Sequence, residues 1–253
     1  MRFATLGSGS RGNALLVAAG ATRLLVDCGF GLRETERRLA QFGVGAAYLQ
    51  GILVTHEHSD HLRGVAALAR RHGIPVWATT GTWSRSPGAG VERLHLIAST
   101  GPGFQVGDIR VEPFPIPHDA REPCHYVLES GGRRLGLLTD SGHVTRHIRH
   151  RLSECDALVL ECNHDAEMLR HGPYPPFLRA RVGGDFGHLG NHQAAELVDQ
   201  LPHRHLTRLL LAHLSEKNNH PDLARQAILA VDASLAARLT LAHQDQPSPW
   251  LAV

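Results

Sequence analysis

Lysine is almost missing from this chain. Of 26 basic residues only Lys217 is a lysine, and the rest are arginines. Against 24 acidic residues they leave a formal net charge of +2, so bulk charge marks neither a nucleic-acid binder nor a membrane-surface protein. Aromatic residues are sparse, at 5%. The four cysteines, Cys28, Cys124, Cys155 and Cys162, form no CxxC pair, and each reads as a small buried hydrophobe. No apolar run approaches the roughly 18 residues a membrane helix needs, so no membrane contact is expected. The opening MRFATLGSGSRG reads as a strand entering a turn, not as a secretory signal. The expectation is therefore a reduced, cytoplasmic protein. Nothing in the sequence points to a protein partner.

What is present is histidine, 19 of them in 253 residues. Hydrophobic residues make up 42%, enough for a sizeable core. Neither repeat nor linker interrupts the chain, so residues 1–253 are expected to form a single domain. Short apolar runs predict strands at Arg2–Leu6, Ala14–Ala18, Arg23–Cys28, Gln50–Thr55, Pro75–Ala78, Arg93–Ile97, Ile109–Phe114, His125–Glu129, Arg134–Thr139, Ala157–Glu161 and Leu206–Ala212. Helical spacing predicts helices over Arg33–Phe42, Leu62–His72 with Gly73 as its stop, His192–Leu201 and Pro221–Leu239. Residues 170–187, rich in Pro and Gly, predict a long loop or a broken segment, more mobile than the strands. The alternation suggests an α/β domain with helices outside.

The chemistry concentrates in THEHSDH, residues 55–61. His56, His58, Asp60 and His61 place four ligand-type groups where a predicted strand meets a predicted helix. Two histidines two apart on extended backbone point to one side. Imidazole and carboxylate suit zinc and other borderline divalent metals. Three further candidates each follow a predicted core strand: His118 after PFPIP, Asp140 after RLGLLT and His213 after LTRLLLA. A group carried at a strand end is well placed for a site.

HEHSDH resembles the HxHxDH signature of the metallo-β-lactamase fold, and His118, Asp140 and His213 follow in that superfamily's order. The blocks SGSRGN (8–13), HDAREP (118–123), TDSG (139–142), ECNHD (161–165), GHLGN (187–191) and AHLSEKNNHP (212–221) narrow the resemblance. Together they are similar to the YycJ/WalJ-like branch, described as 5′-to-3′ exonucleases on double-stranded DNA. The resemblance spans nearly the whole chain. It departs at His125, where Gly is more usual, and at Gly190, where Ser is more usual; neither is a ligand position.

The resemblance implies a four-layer αββα metallo-β-lactamase sandwich, with two mixed β-sheets and helices on the outer faces. The site should lie where strands ending at Thr55, Thr139 and Ala212 converge. It also implies two divalent ions, zinc first and manganese second. His56, His58 and His118 would hold one, Asp60, His61 and His213 the other, and Asp140 would bridge them. A metal-bridging hydroxide would attack the phosphodiester, with Asp60, Asp140 and His188 as catalytic residues and DNA as the substrate partner. Ser10, Asn13, Asn163, His164, His188 and Asn218 are the candidate substrate contacts. Ser10 and Asn13 read equally as a hairpin turn, His164 and His188 as surface histidines, and Asn218 as the start of the last helix. Among the arginine clusters, Arg179 and Arg181 stand out, because they sit in the irregular segment before GHLGN. The alternative function is a small-molecule hydrolase of the same fold, acting on a thioester, a lactone or a cyclic phosphodiester.

Overall fold

Alternate residues of the central strands are apolar on both sides, and this decides the architecture. Leu24 and Val26 pack in one cluster and Leu25 in another. Leu210 packs in the first of these, while Leu209 and Leu211 pack in a third. Strands apolar on both faces must be covered on both faces. The computed structural model, which describes residues 1–85 and 90–253, meets that demand with two sheets packed face to face and helices outside.

One sheet contains β1 (Arg2–Gly7), β2 (Ala14–Ala19), β3 (Thr22–Val26), β4 (Gly51–Leu53), β5 (Val76–Thr79) and β6 (Leu94–Ile97). The other contains β7 (Phe104–Val106), β8 (Ile109–Pro115), β9 (Cys124–Ser130), β10 (Arg133–Leu138), β11 (Ala157–Glu161), β12 (Arg208–Ala212) and β13 (Leu239–Leu241). The last strand, β14 (Leu251–Ala252), returns to pair with β1. The orders are β14-β1-β2-β3-β4-β5-β6 and β13-β12-β11-β10-β9-β8-β7. Both sheets are mixed. The steps from β14 to β3 and from β7 to β10 are antiparallel, and the remaining steps are parallel.

Phe3, Val17, Ile109, Tyr126 and Leu137 fill the space between the sheets. Helices Leu32–Ala40 and Val65–His72 cover the first sheet through Leu39, Val65 and Leu68. Helices Arg146–Leu152, Asn191–Gln200 and Pro221–Val231 cover the second through Ile148, Leu197 and Ile228. The αββα sandwich is therefore the observed fold. Among the described residues no helix is long and apolar enough to cross a membrane.

The structure refines three local expectations. Residues 170–187 form the broken segment rather than one long loop: Pro176–Val182 is a helix, with Pro176 in its first turn. Proline there needs no backbone partner and its fixed φ starts the helix. The last predicted helix stops at Val231, and Asp232 caps a separate 3-10 turn at Ala233–Ala237 through Ser234 N. Gly64 separates the short turn Ser59–Leu62 from the helix Val65–His72, which Gly73 ends at φ 64°.

Candidate metal centre

Strand ends from both sheets deliver the site. His56, His58, Asp60 and His61 follow β4, His118 follows β8, Asp140 follows β10 and His213 follows β12. Three non-glycine residues among those described have positive φ: Asp27 (60°), Asp140 (55°) and His213 (55°). All three sit just past a strand end, and all three meet in this cluster. A left-handed residue turns the chain sharply and re-aims the side chain, at a local energetic cost that Asp and His tolerate better than most.

The structure brings together all seven side chains named as ligands from the sequence. His56, His58 and His118 form one group whose ligand atoms lie within 4.8 Å of one another; Asp60, His61 and His213 form another. Asp140 joins both, since it groups with His56 and His61 and also with His213. Its two carboxylate oxygens lie 3.4 Å from His61 Nε2 and 3.4 Å from His213 Nε2.

Three of the rings are steered from behind. His118 Nδ1 lies 3.1 Å from the Gly187 carbonyl, which accepts its hydrogen. His61 Nδ1 is 2.8 Å from Asp27 Oδ2, and Asp27 also accepts from Thr55 N and Thr55 Oγ1. His213 Nδ1 is 3.2 Å from Glu161 Oε1. A carboxylate or carbonyl behind an imidazole fixes which nitrogen faces the site.

The electrostatics are severe. Burial drives the His56 imidazole well below its usual pKa, and burial likewise brings His118 down to about 4. Burial opposes charge on His61 and His213 too, but there the carboxylates win. Asp140 and Asp27 raise His61, and Asp140, Asp60 and Glu161 raise His213 to about 10. Burial resists ionisation of Asp60, Asp140 and Glu161, yet the neighbouring histidines hold all three below the ordinary carboxylate range.

His56 Nε2, Asp140 Oδ2 and His213 Nε2 are buried and have no hydrogen-bond partner among the described residues. Leaving such an atom unmatched costs about 1–3 kcal/mol. These are ligand atoms, and they belong to the four groups that could hold a cation. Nitrogen and oxygen donors in this mixture fit a divalent metal.

A cavity of about 290 Å³ opens over the cluster, with Asp60, Asp140, His188 and His213 in its wall. Ser10 and Asn163 also line it. Asn163 donates to the His213 carbonyl at 2.9 Å. Asn13 stands behind the wall: its Nδ2 lies 3.3 Å from Asp60 Oδ2, and its Oδ1 accepts from Ser8 Oγ and Gly9 N. His164 is buried, its Nδ1 has no partner among the described residues, and burial lowers its pKa to about 4. Asn218 is fully buried; its Nδ2 lies 3.5 Å from the Oγ of Ser215, a residue of the cavity wall, and its Oδ1 has no hydrogen-bond partner among the described residues. His125 is buried with Nε2 2.7 Å from the Thr139 carbonyl, so it braces the strand end before Asp140. A Cβ on Gly190 would stand 3.1 Å from His164 Nε2 and 3.1 Å from the His192 ring; imidazoles fill the space a serine would use.

Two functional side chains escaped the sequence reading. Glu161 is fully buried at the end of β11. Its Oε1 lies 2.8 Å from His188 Nδ1, while its Oε2 accepts from Ser141 N and Leu189 N. Asp27 holds the equivalent place at the end of β3. One signal was available for both: a carboxylate that terminates an otherwise apolar buried strand.

Residues 22–214 match the family profile of the beta-lactamase superfamily domain. The chain is 39% identical over 239 residues to exodeoxyribonuclease YycJ of Bacillus anthracis, covering 91% of this chain and 89% of that protein. It is 34% identical over 233 residues to exodeoxyribonuclease WalJ of Streptococcus pneumoniae, covering 90% and 87%. Among solved structures, the metallo-beta-lactamase fold protein YhfI of Bacillus subtilis superposes with a TM-score of 0.76 at 16% identity, covering 98% of this chain and all of that one.

Proposed function

Since the chain belongs to the beta-lactamase superfamily, we propose that it is a metal-dependent phosphodiesterase, an exonuclease that degrades double-stranded DNA from 5′ to 3′. The observation that carries this reading is the fit of the donor cluster to two cations beneath an open cavity. The two relatives named exodeoxyribonuclease, at 39% and 34% identity, support DNA as the substrate. Both sheets contribute to the cluster, which supports reading residues 1–253 as one catalytic unit.

His56, His58 and His118 would hold one divalent ion, Asp60, His61 and His213 a second, and Asp140 would touch both. Zinc is the first candidate and manganese the second. Two such ions would supply Lewis-acid stabilisation to the phosphoryl oxygens and a nucleophile at neutral pH.

The remaining work falls to the chain. His188 spends Nδ1 on Glu161, which leaves Nε2 to face the cavity. That nitrogen is in position to pass a proton to the leaving oxygen, with the Glu161 carboxylate holding the ring in place. Ser10 offers a hydroxyl donor to phosphate. Asn13 and Asn163 hold the Asp60 and His213 side of the site in register.

The test is a substrate panel on purified protein loaded with Zn²⁺ or Mn²⁺. It comprises end-labelled duplex DNA, single-stranded DNA, RNA, a cyclic phosphodiester, a thioester and a lactone. Mononucleotide release from the 5′ end of duplex DNA is the expected result. Hydrolysis of the thioester or lactone without cleavage of any nucleic acid would overturn the reading.

A further inference from the structure

The chain has three Tyr, seven Phe and three Trp, and few are left facing water. Four large hydrophobic side chains among the described residues are exposed: Tyr48, Leu96, Phe177 and Phe186. Phe177 is 74% exposed and Phe186 60% exposed. These two lie on the segment that forms one wall of the cavity.

Neither ring hangs on a slack tether. Phe177 sits in the helix Pro176–Val182, beside Leu178 and one turn before Arg181, and both of those line the cavity. After the helix the chain doubles back, with Gly187 N donating to Gly184 O and His188 N to Val182 O. The Phe186 carbonyl accepts from Asp119 N at 3.0 Å. The backbone at Asp185 and Phe186 also packs on Gly142 so closely that a Cβ there would collide with it. Fixed backbone therefore presents free rings. Arg181 stands between them in sequence, more than half exposed, and pairs with Asp119 in the same wall. Exposed aromatic rings on the segment whose Arg181 lines the cavity match the chemistry of unstacked nucleobases on a phosphate backbone.

We propose that Phe177 and Phe186 form a stacking rim that grips the unpaired terminal base of a DNA strand while its phosphate enters the cavity. The inference rests on the phosphodiesterase reading above and adds to it the form of the substrate: an end that is frayed or single-stranded at the point of entry. Stacking on a ring tolerates any base, which suits an enzyme that must advance through sequence without pausing.

The experiment compares wild type, Phe177→Ala, Phe186→Ala, the double variant and Tyr48→Ala. The substrates are duplexes whose 5′-terminal nucleotide is either normal or abasic. A 2-aminopurine at the same terminus reports stacking by fluorescence quenching. Wild type should prefer the normal end over the abasic end by about tenfold in kcat/KM, through KM, and should quench 2-aminopurine. The double variant should lose both the preference and the quenching, and Tyr48→Ala should keep both. Equal preference and equal quenching in wild type and the double variant would overturn the rim. Tight DNA binding with no dependence on either ring would do the same, and would point to a protein surface instead. If wild type cleaved no phosphodiester of either duplex, the phosphodiesterase reading itself would fall, and the rim with it.

Discussion

Asp140 is asked to do three things at once: adopt φ 55°, stay ionised while buried, and reach His61 and His213 with different oxygens. An amide of the same shape keeps the turn but loses the charge and one ligand oxygen. Asp140→Asn should therefore fold, bind fewer than two ions per chain and lose activity by about a hundredfold or more. Metal analysis and DNA hydrolysis on the purified variant check this. Two bound ions at near-normal turnover would remove Asp140 from the bridge. Glu161 acts at one remove. Glu161→Gln should lower kcat by about 10- to 100-fold. Adding His188→Ala to it should cost little more, because both changes break one coupled unit. Fully additive losses would show that Glu161 and His188 act separately. The contrast between these residues also shows what the sequence could reveal. HEHSDH was legible because four ligand-type residues crowd into six positions. Asp27 and Glu161 were less so: a carboxylate that orients a histidine from behind has no spacing rule, and its mark in the sequence is its place at the end of a buried apolar strand.

At the scale of elements, helix Leu32–Ala40 carries a small charge network that depends on pH. Glu34 pairs with Arg37 and Arg38, and Arg38 reaches the Leu6 and Gln244 carbonyls with its guanidinium over the Phe30 ring. The hydrogen bond from Arg37, with Arg38 adding to it, outweighs burial and pulls Glu34 down from 4.5 to about 2. A carboxyl lowered on folding contributes stability above its unfolded pKa and loses it as pH falls through the folded value. The contribution is thus complete above about pH 5 and fades between pH 4.5 and about 2. Glu34 is partly exposed, so water screens it. Glu34→Gln should cost under about 1 kcal/mol at pH 7 and nothing near pH 2. Urea melts of both proteins at several pH values test this, and a constant difference down to pH 2 would contradict it. Elements were legible where periodicity had room to show itself. Strands β7, β13 and β14 hold three, three and two residues, too short for alternation to register. The helix Pro176–Val182 was hidden for another reason. Its prolines read as breakers, although at its first turn proline acts as a start signal.

For the whole molecule the main consequence of the fold is that the cluster straddles the two sheets. His56, His58, Asp60 and His61 extend from the first sheet, while His118, Asp140 and His213 extend from the second. Mixed sheets with helices outside follow from strands apolar on both faces, but periodicity alone does not say which sheet each strand joins. Ions held between the sheets would bind the folded chain and not the open one, so saturating metal must add stability. At a hundredfold excess over Kd the gain is about 2.7 kcal/mol per site. For a chain of this size that corresponds to a rise of roughly 5–10 °C in Tm. The cysteines supply an independent readout of the same coupling. Cys28 lies in the outer layer of the first sheet, Cys124 between the sheets, and Cys155 and Cys162 in the outer layer of the second. All four are buried, and burial pushes Cys28, Cys124 and Cys155 up to about 12, with Cys162 raised as well. None should react with a thiol reagent at pH 8 until its layer opens. With metal bound, the four thiols should label slowly and at similar rates, because opening either sheet breaks the shared cluster. After chelation every rate should rise, and Cys28 should separate from Cys155 and Cys162 as the two outer layers open independently. Mass spectrometry of alkylated peptides over time measures each site. Labelling rates and Tm that ignore the chelator would mean that the cluster does not fasten the sheets together, and the placement of ions across both would have to be abandoned.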